Sequence, residues 1–164
     1  MRIFRIVSIC LVIACCVTIF CFSAQNSQNS GKLSGGITEF VISIIYPDFS
    51  EFSEPEQAEI IHDTSFIIRK LAHFSIFLLL GFFSYMSIVS YKKPKRALKV
   101  TFSSMFCLLY AISDEFHQLF VPGRSGEVRD VCIDFSGAIL GIVICLILFS
   151  HIAFLKKFIG DKNA

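Results

Sequence analysis

Four apolar runs dominate the chain, at about residues 3–22, 71–91, 98–121 and 131–155. Each is long enough for a hydrocarbon core, which takes about 20 residues of helix. Lipid offers no partners for free backbone groups, so helices are the economical way across. The first run is the least interrupted. The second carries only His73 and small hydroxyls as polar groups. The third is apolar from Met105 as far as Ser113 after Lys99 and three hydroxyls in its first turns, and the fourth is polar at Asp134 and then largely apolar through Phe149. The pattern predicts an all-α fold: one polytopic membrane domain over residues 1–164, with four transmembrane helices and one or two external interfacial helices.

The segment between the first two runs, residues 23–70, has a different texture. It opens with SAQNSQNSG, a polar connector rich in turn-forming residues. A nine-residue apolar stretch, Ile37 to Ile45, follows and is too short to span. Ser53-Glu54-Pro55-Glu56 then reads as a helix start, with Ser53 as N-cap and Pro55 in the first turn. Ile60, Ile61, Thr64, Ile67 and Ile68 fall on one side of that helix, and Glu56, Glu59 and Asp63 on others. Both pieces read as helices lying on a membrane surface or capping the bundle. Met-Arg-Ile-Phe-Arg followed by Val12-Ile13-Ala14-Cys15 has the look of a lipoprotein leader. The apolar run continues to Phe22, however, which favours an uncleaved anchor helix.

Composition agrees with the pattern. The chain has 54% hydrophobic residues, nineteen Phe, no Trp and a mean hydropathy of +0.69, more apolar than soluble domains of its size. A net charge of +2 without a basic patch argues against nucleic acid. The seven cysteines show no C-x-x-C spacing and read as apolar packing residues.

Charge does decide the sidedness. Ten of the fifteen Lys and Arg lie at the N-terminus, in the stretch from Lys92 to Lys99, and in the tail. By the positive-inside rule both termini are expected in the cytoplasm, with residues 23–70 outside. The remaining ionisable residues then crowd the outer end of three helices. Arg69, Lys70 and His73 enter with the second run; Tyr110, Asp114, Glu115, His117 and Gln118 close the third; Arg124 sits in the turn; Arg129, Asp130 and Asp134 begin the fourth. Arg69 and His73, Asp114 and Gln118, and Asp130 and Asp134 are each i, i+4 and share a helix face. Pro122-Gly123 and Ser125-Gly126 enforce a tight reversal, so the last two helices are antiparallel neighbours. Gly137, Ala138 and Gly141 allow another helix to approach closely.

Charged groups near a bilayer usually have a partner or a task. Three readings fit these residues. Arg69, Arg124 and Arg129, with His73 or Lys70 supplying the remaining partner, pair with Asp114, Glu115, Asp130 and Asp134 in a purely structural ionic network. Alternatively, the site binds an envelope lipid or an amphiphilic antibiotic through its arginine forks. In the third reading His73 and His117, with Asp114, Glu115 or Asp130, act as acid/base groups or hold a divalent metal for hydrolysis or transfer at a lipid-linked phosphate or sugar. No H-E-x-x-H or G-x-S-x-G motif is present, so the balance leans away from an enzyme, and no cofactor or metal is expected.

The blocks Arg69-Lys70-Leu71-Ala72-His73-Phe74, Asp114-Glu115-Phe116-His117-Gln118 and Pro122-Gly123-Arg124, with Tyr110, Asp130, Asp134 and Gly137, resemble those of VanZ-like membrane proteins. The resemblance runs from the first helix to the last. It implies a small bacterial membrane protein of the cell envelope, and, through the founding member's association with teicoplanin resistance, a contribution to glycopeptide tolerance. It supplies no mechanism, partner or oligomeric state, and no role for residues 23–70.

Overall fold

A computed structural model describes residues 2–25, 27–89, 91 and 94–161, with side chains over 2–25, 35–89, 91 and 94–151. The chain is all-helical over these residues: α1 (Arg2–Ser23), α2 (Ser27–Ile45), a single 3-10 turn (Phe49–Glu51), α3 (Glu54–Val89), α4 (Arg96–Gln118) and α5 (Val128–Asp161). Among the described residues, α1, α3, α4 and α5 are each long and apolar enough to cross a membrane. The predicted runs and the observed helices coincide in number and order.

The second of them differs in extent. The sequence reading separates an external helix from the span at residue 71, whereas α3 is one helix of 36 residues, about 54 Å long at 1.5 Å per residue. No glycine or proline lies between Pro55 and Gly81, so nothing breaks the helix where its polarity changes. Its start is as expected. The backbone N–H and the hydroxyl of Ser53 both donate to the Glu56 carboxylate, at 2.9 and 2.6 Å, which ties the N-cap to the third helical residue. The SAQNSQNSG connector is also shorter than expected, because α2 already begins at Ser27.

α2 folds back along the projecting part of α3. Thr38 and Ile42 are buried, and the Thr38 hydroxyl lies 3.3 Å from that of Ser65. α2 therefore packs on α3, and Ile37, Phe40, Ile44 and Ile45 stay exposed on it, the apolar surface that a helix lying in a membrane interface presents.

α3 and α5 form the central contact of the bundle, with α1 and α4 flanking it. Small residues make that contact close. A Cβ on Gly81 would overlap the carbonyl of Ala138, one on Gly137 that of Phe74, and one on Gly141 that of Leu78. Gly137, Ala138 and Gly141 thus have the packing role expected of them, and Gly81 answers them from α3. Around this seam pack Cys15, Ile19, Phe77, Leu80, Cys107, Ala111 and Ala138, then Tyr85, Ile142 and Cys145 towards the other end. The seven cysteines are free thiols, three of them buried in this core.

The turn joining α3 and α4 is held by a buried lysine. Nζ of Lys99 reaches back to the carbonyls of Val89, at 3.0 Å, and Tyr91, supplying donors to carbonyls that a helix end leaves without partners. Lys92, Lys93 and Lys162, which entered the charge count, lie outside the described residues.

Candidate functional site

At the end of the bundle where α1 and α4 finish and α5 begins, the polar residues gather. α4 stops at Gln118, three residues earlier than its apolar run suggests. The chain turns there through i→i+3 bonds: Phe120 to His117 and Val121 to Gln118, both 3.0 Å, and Arg124 to Val121 at 3.1 Å. Gly123 adopts φ 77°, a left-handed conformation that favours glycine. A Cβ on Gly126 would come within 2.7 Å of the Glu115 carbonyl. The turn therefore lies flat against the end of α4 and carries Arg124 and the start of α5 over it.

Beneath it is a small cavity lined by Arg69, Lys70, His73, Glu115, Gln118, Arg124, Asp130 and Asp134, from α3, α4, α5 and the turn. Its free volume is about 20 Å³, roughly the space of one water molecule. Asp114, Glu115, Gln118 and Asp134 are all at most 5% exposed.

Each buried carboxylate has its own arrangement. Asp114 accepts the Ser23 hydroxyl at 2.7 Å and the Gln118 amide at 3.1 Å. Glu115 accepts the same amide at 3.0 Å and the backbone N–H of Glu127 at 3.0 Å. Glu127 directly precedes α5, so Glu115 lies at the electropositive start of that helix. Asp130 pairs with Lys70. Asp134 faces His73, with Nδ1 and Oδ2 3.8 Å apart, beyond hydrogen-bonding range. Asp134 Oδ2 and Asp130 Oδ1 are buried without a hydrogen-bond partner, which carries a desolvation penalty.

The cations are less engaged. Arg124 donates from Nε to the Gln25 carbonyl at 3.2 Å. Burial, and next the neighbouring charge of Arg69, push its guanidinium below its ordinary pKa, although an arginine stays protonated throughout the physiological range. Arg69 lies 5.9 Å from the Phe66 ring. Among the described residues neither arginine forms an ion pair with a carboxylate, and the expected pairing of Arg69, Arg124 and Arg129 with Asp114, Glu115, Asp130 and Asp134 is absent. Lys70, one of the two additional partners expected, does pair with Asp130, and neutral donors serve Asp114 and Glu115.

Of the twelve residues predicted for this site, eight line the cavity and Asp114 adjoins it through Gln118. Three do not. Tyr110 donates its hydroxyl to the Cys16 carbonyl at 2.7 Å, tying α4 to α1 one turn below Asp114. Arg129 is exposed and lies 3.5 Å from Glu127. His117 stacks on Phe20, with ring centroids 4.6 Å apart, and its Nδ1 is buried without a partner. The two histidines therefore do not converge. A different trio does: His73, Asp114 and Asp134 each offer one ligand atom within 4.8 Å of the others.

Three contributors escaped the sequence reading. Ser23 closes an apolar helix and looks like the first residue of a connector. The Gln25 carbonyl and the Glu127 N–H are backbone groups that carry no residue-type signal.

A family model described as VanZ/LLP1 matches residues 8–149. The chain belongs to the VanZ/LLP1 family. The match covers most of each of the four long apolar helices and every residue of the cavity, so this VanZ/LLP1 chain is a multi-pass membrane protein. No curated protein and no solved structure matches it.

Proposed function

We propose that this VanZ/LLP1 protein sits in a bacterial cytoplasmic membrane with both termini inside, and that its outward-facing cavity binds the anionic head of an envelope lipid, thereby contributing to glycopeptide tolerance. The distribution of Lys and Arg supports that orientation. In it the cavity, at the far end of α1 from the N-terminus, faces outward.

The observation that carries the reading is the state of Arg69 and Arg124. Both line the cavity, and among the described residues neither is paired with a carboxylate. Guanidinium forks match phosphate and carboxylate geometry, and two of them in one cavity wall without a carboxylate partner among the described residues suit an incoming anion. Phe116, Leu119 and Phe120, in the last turn of α4 and just after it, are exposed and offer an apolar surface at this end of the bundle for the acyl chains attached to that head. The cavity holds only about one water as it stands, so a headgroup engages its mouth and displaces the arginine side chains rather than entering whole.

The test is a deletion strain complemented with wild-type protein or with Arg69→Ala/Arg124→Ala, assayed for teicoplanin susceptibility and envelope lipid content. Deletion is expected to raise susceptibility, and the double variant to fail to restore tolerance while accumulating in the membrane normally. Unchanged susceptibility and unchanged lipids in the deletion strain defeat the reading.

A further inference from the structure

We propose that His73, Asp114 and Asp134 form a binding site for one divalent transition-metal ion of the zinc or manganese class. The three side chains come from α3, α4 and α5, and all three are buried. Ligands about 2.1 Å from such an ion lie roughly 3.0–3.5 Å from one another. The 3.8 Å between His73 Nδ1 and Asp134 Oδ2 is a few tenths of an ångström longer than that, and the distances to Asp114 lie within 4.8 Å, so rotation of the three side chains closes them on an ion.

An independent observation points to a ligand at this place. Asp134 is 2% exposed, and its Oδ2, the oxygen facing His73, has no hydrogen-bond partner. No Lys or Arg pairs with Asp114 or Asp134 among the described residues, since Lys70 is taken by Asp130. Arg69, Lys70 and Arg124 share the cavity wall, yet none of them forms an ion pair with Asp114 or Asp134. Two buried carboxylates converging with an imidazole without a paired cation are poorly placed for themselves and well placed for a metal ion. The supporting shell is built as well. Ser23 and Gln118 both donate to Asp114 Oδ2, which fixes that carboxylate's orientation as outer-shell donors do in metal sites.

The donor set narrows the ion. One nitrogen and two carboxylates suit zinc or manganese better than magnesium or calcium, which favour all-oxygen shells, and the lack of thiolate disfavours Cu(I). Three protein ligands leave a coordination position open, on the side where His73 and Asp134 line the cavity. If the lipid reading also holds, a headgroup oxygen steered by Arg69 and Arg124 is the natural fourth ligand. The metal site itself does not depend on that reading.

The test uses full-length protein in neutral detergent, freed of metal by a chelator, with no anionic lipid added. Titration with Zn²⁺ is expected to show one ion per chain. Affinity should fall more than about tenfold, the loss typical even of a weakened outer shell, in His73→Ala and in Asp134→Asn, with His117→Ala unchanged. Co²⁺ bound to the unaltered protein is expected to give a d–d spectrum of nitrogen and oxygen ligation, a readout that does not require any variant to fold. No uptake, uptake indifferent to both variants, or a thiolate charge-transfer band with Co²⁺ overturns the proposal. Because Arg69→Ala/Arg124→Ala decides the lipid reading and metal uptake decides this one, the two fail separately.

Discussion

The Ser23 hydroxyl donates to the Asp114 carboxylate at 2.7 Å, across 91 residues of chain. This bond joins the last turn of α1 to α4, and both side chains are buried. Asp114 also receives the Gln118 amide, but that amide is shared with Glu115. Ser23→Ala therefore removes the one donor that serves Asp114 without that division. The expected loss is about 1–3 kcal/mol, the cost of leaving a buried acceptor short of a partner, read as a lower unfolding midpoint in detergent. Ser23→Thr keeps the hydroxyl and should recover most of it. Equal midpoints for the alanine variant and wild type would show that the bond contributes nothing.

The two glycine environments make a paired prediction. A Cβ at Gly141 would overlap the Leu78 carbonyl, whereas one at Gly35 meets nothing within 4 Å. Gly141→Ala should push α3 and α5 apart and cost about 1–3 kcal/mol, as overpacking does. Gly35→Ala, inside α2, should be neutral or stabilising by up to about 1 kcal/mol through helix propensity. Thermal unfolding of the two variants in the same detergent separates them, and a reversal of their order would contradict the packing described for the α3/α5 seam.

How far the sequence disclosed this architecture follows from what each signal measures. Helix number and order were legible because twenty-residue apolar runs have few other solutions. The continuity of α3 was not, since the change of polarity near Lys70 marks an environment and not a break in the backbone. Helical spacing brought Arg69 to His73, Asp114 to Gln118 and Asp130 to Asp134, and those faces do meet. Spacing within one helix says nothing about which neighbour it faces, however. His117, one turn from Asp114, rotates onto Phe20 instead, and Tyr110 serves α1. The roles of Ser23 and of the Glu127 N–H depend wholly on tertiary placement.

His117 and His73 should consequently behave differently. His117→Phe keeps a ring against Phe20 and removes the unpartnered Nδ1, so its folding and its complementation of a deletion strain are expected to match wild type. His73→Ala disrupts the cavity wall beside Asp134 and should abolish complementation while protein remains in the membrane. Loss of complementation in His117→Phe would return that imidazole to the site.

Lys99 is 8% exposed, and its ammonium caps the carbonyls of Val89 and Tyr91. Lys99→Met preserves the aliphatic stem and removes only the donors. It should lower stability by about 1–3 kcal/mol, and cleavage by added protease should increase in the turn between α3 and α4 but not in the turn between α4 and α5. Unchanged cleavage at the first turn would mean that water replaces the ammonium without loss.

Lys70 and Asp130 allow the ionic contribution at the cavity to be isolated. The pair is largely buried, at 22% and 13% side-chain exposure, and Asp130 Oδ1 already lacks a hydrogen-bond partner. Lys70→Met leaves Asp130 without its cation and should cost about 1.5–3 kcal/mol, the range for a hydrogen bond to a charged group. Asp130→Asn alone leaves the lysine beside Arg69 and Arg124 and should cost a similar amount. With both changes made, neither charge is stranded, so the double variant should be more stable than the sum of the single losses predicts, by a coupling of about 0.5–3 kcal/mol. The same cycle run on lipid binding has a different expectation. Lys70 is committed to Asp130 and Arg69 is not, so Lys70→Met in the Asp130→Asn background should leave anionic lipid binding near wild type, whereas Arg69→Ala in that background should still abolish it. A strictly additive stability cycle, or equal loss of lipid binding from the two cations, would show that Lys70 is part of the anion site and not the counterion of Asp130.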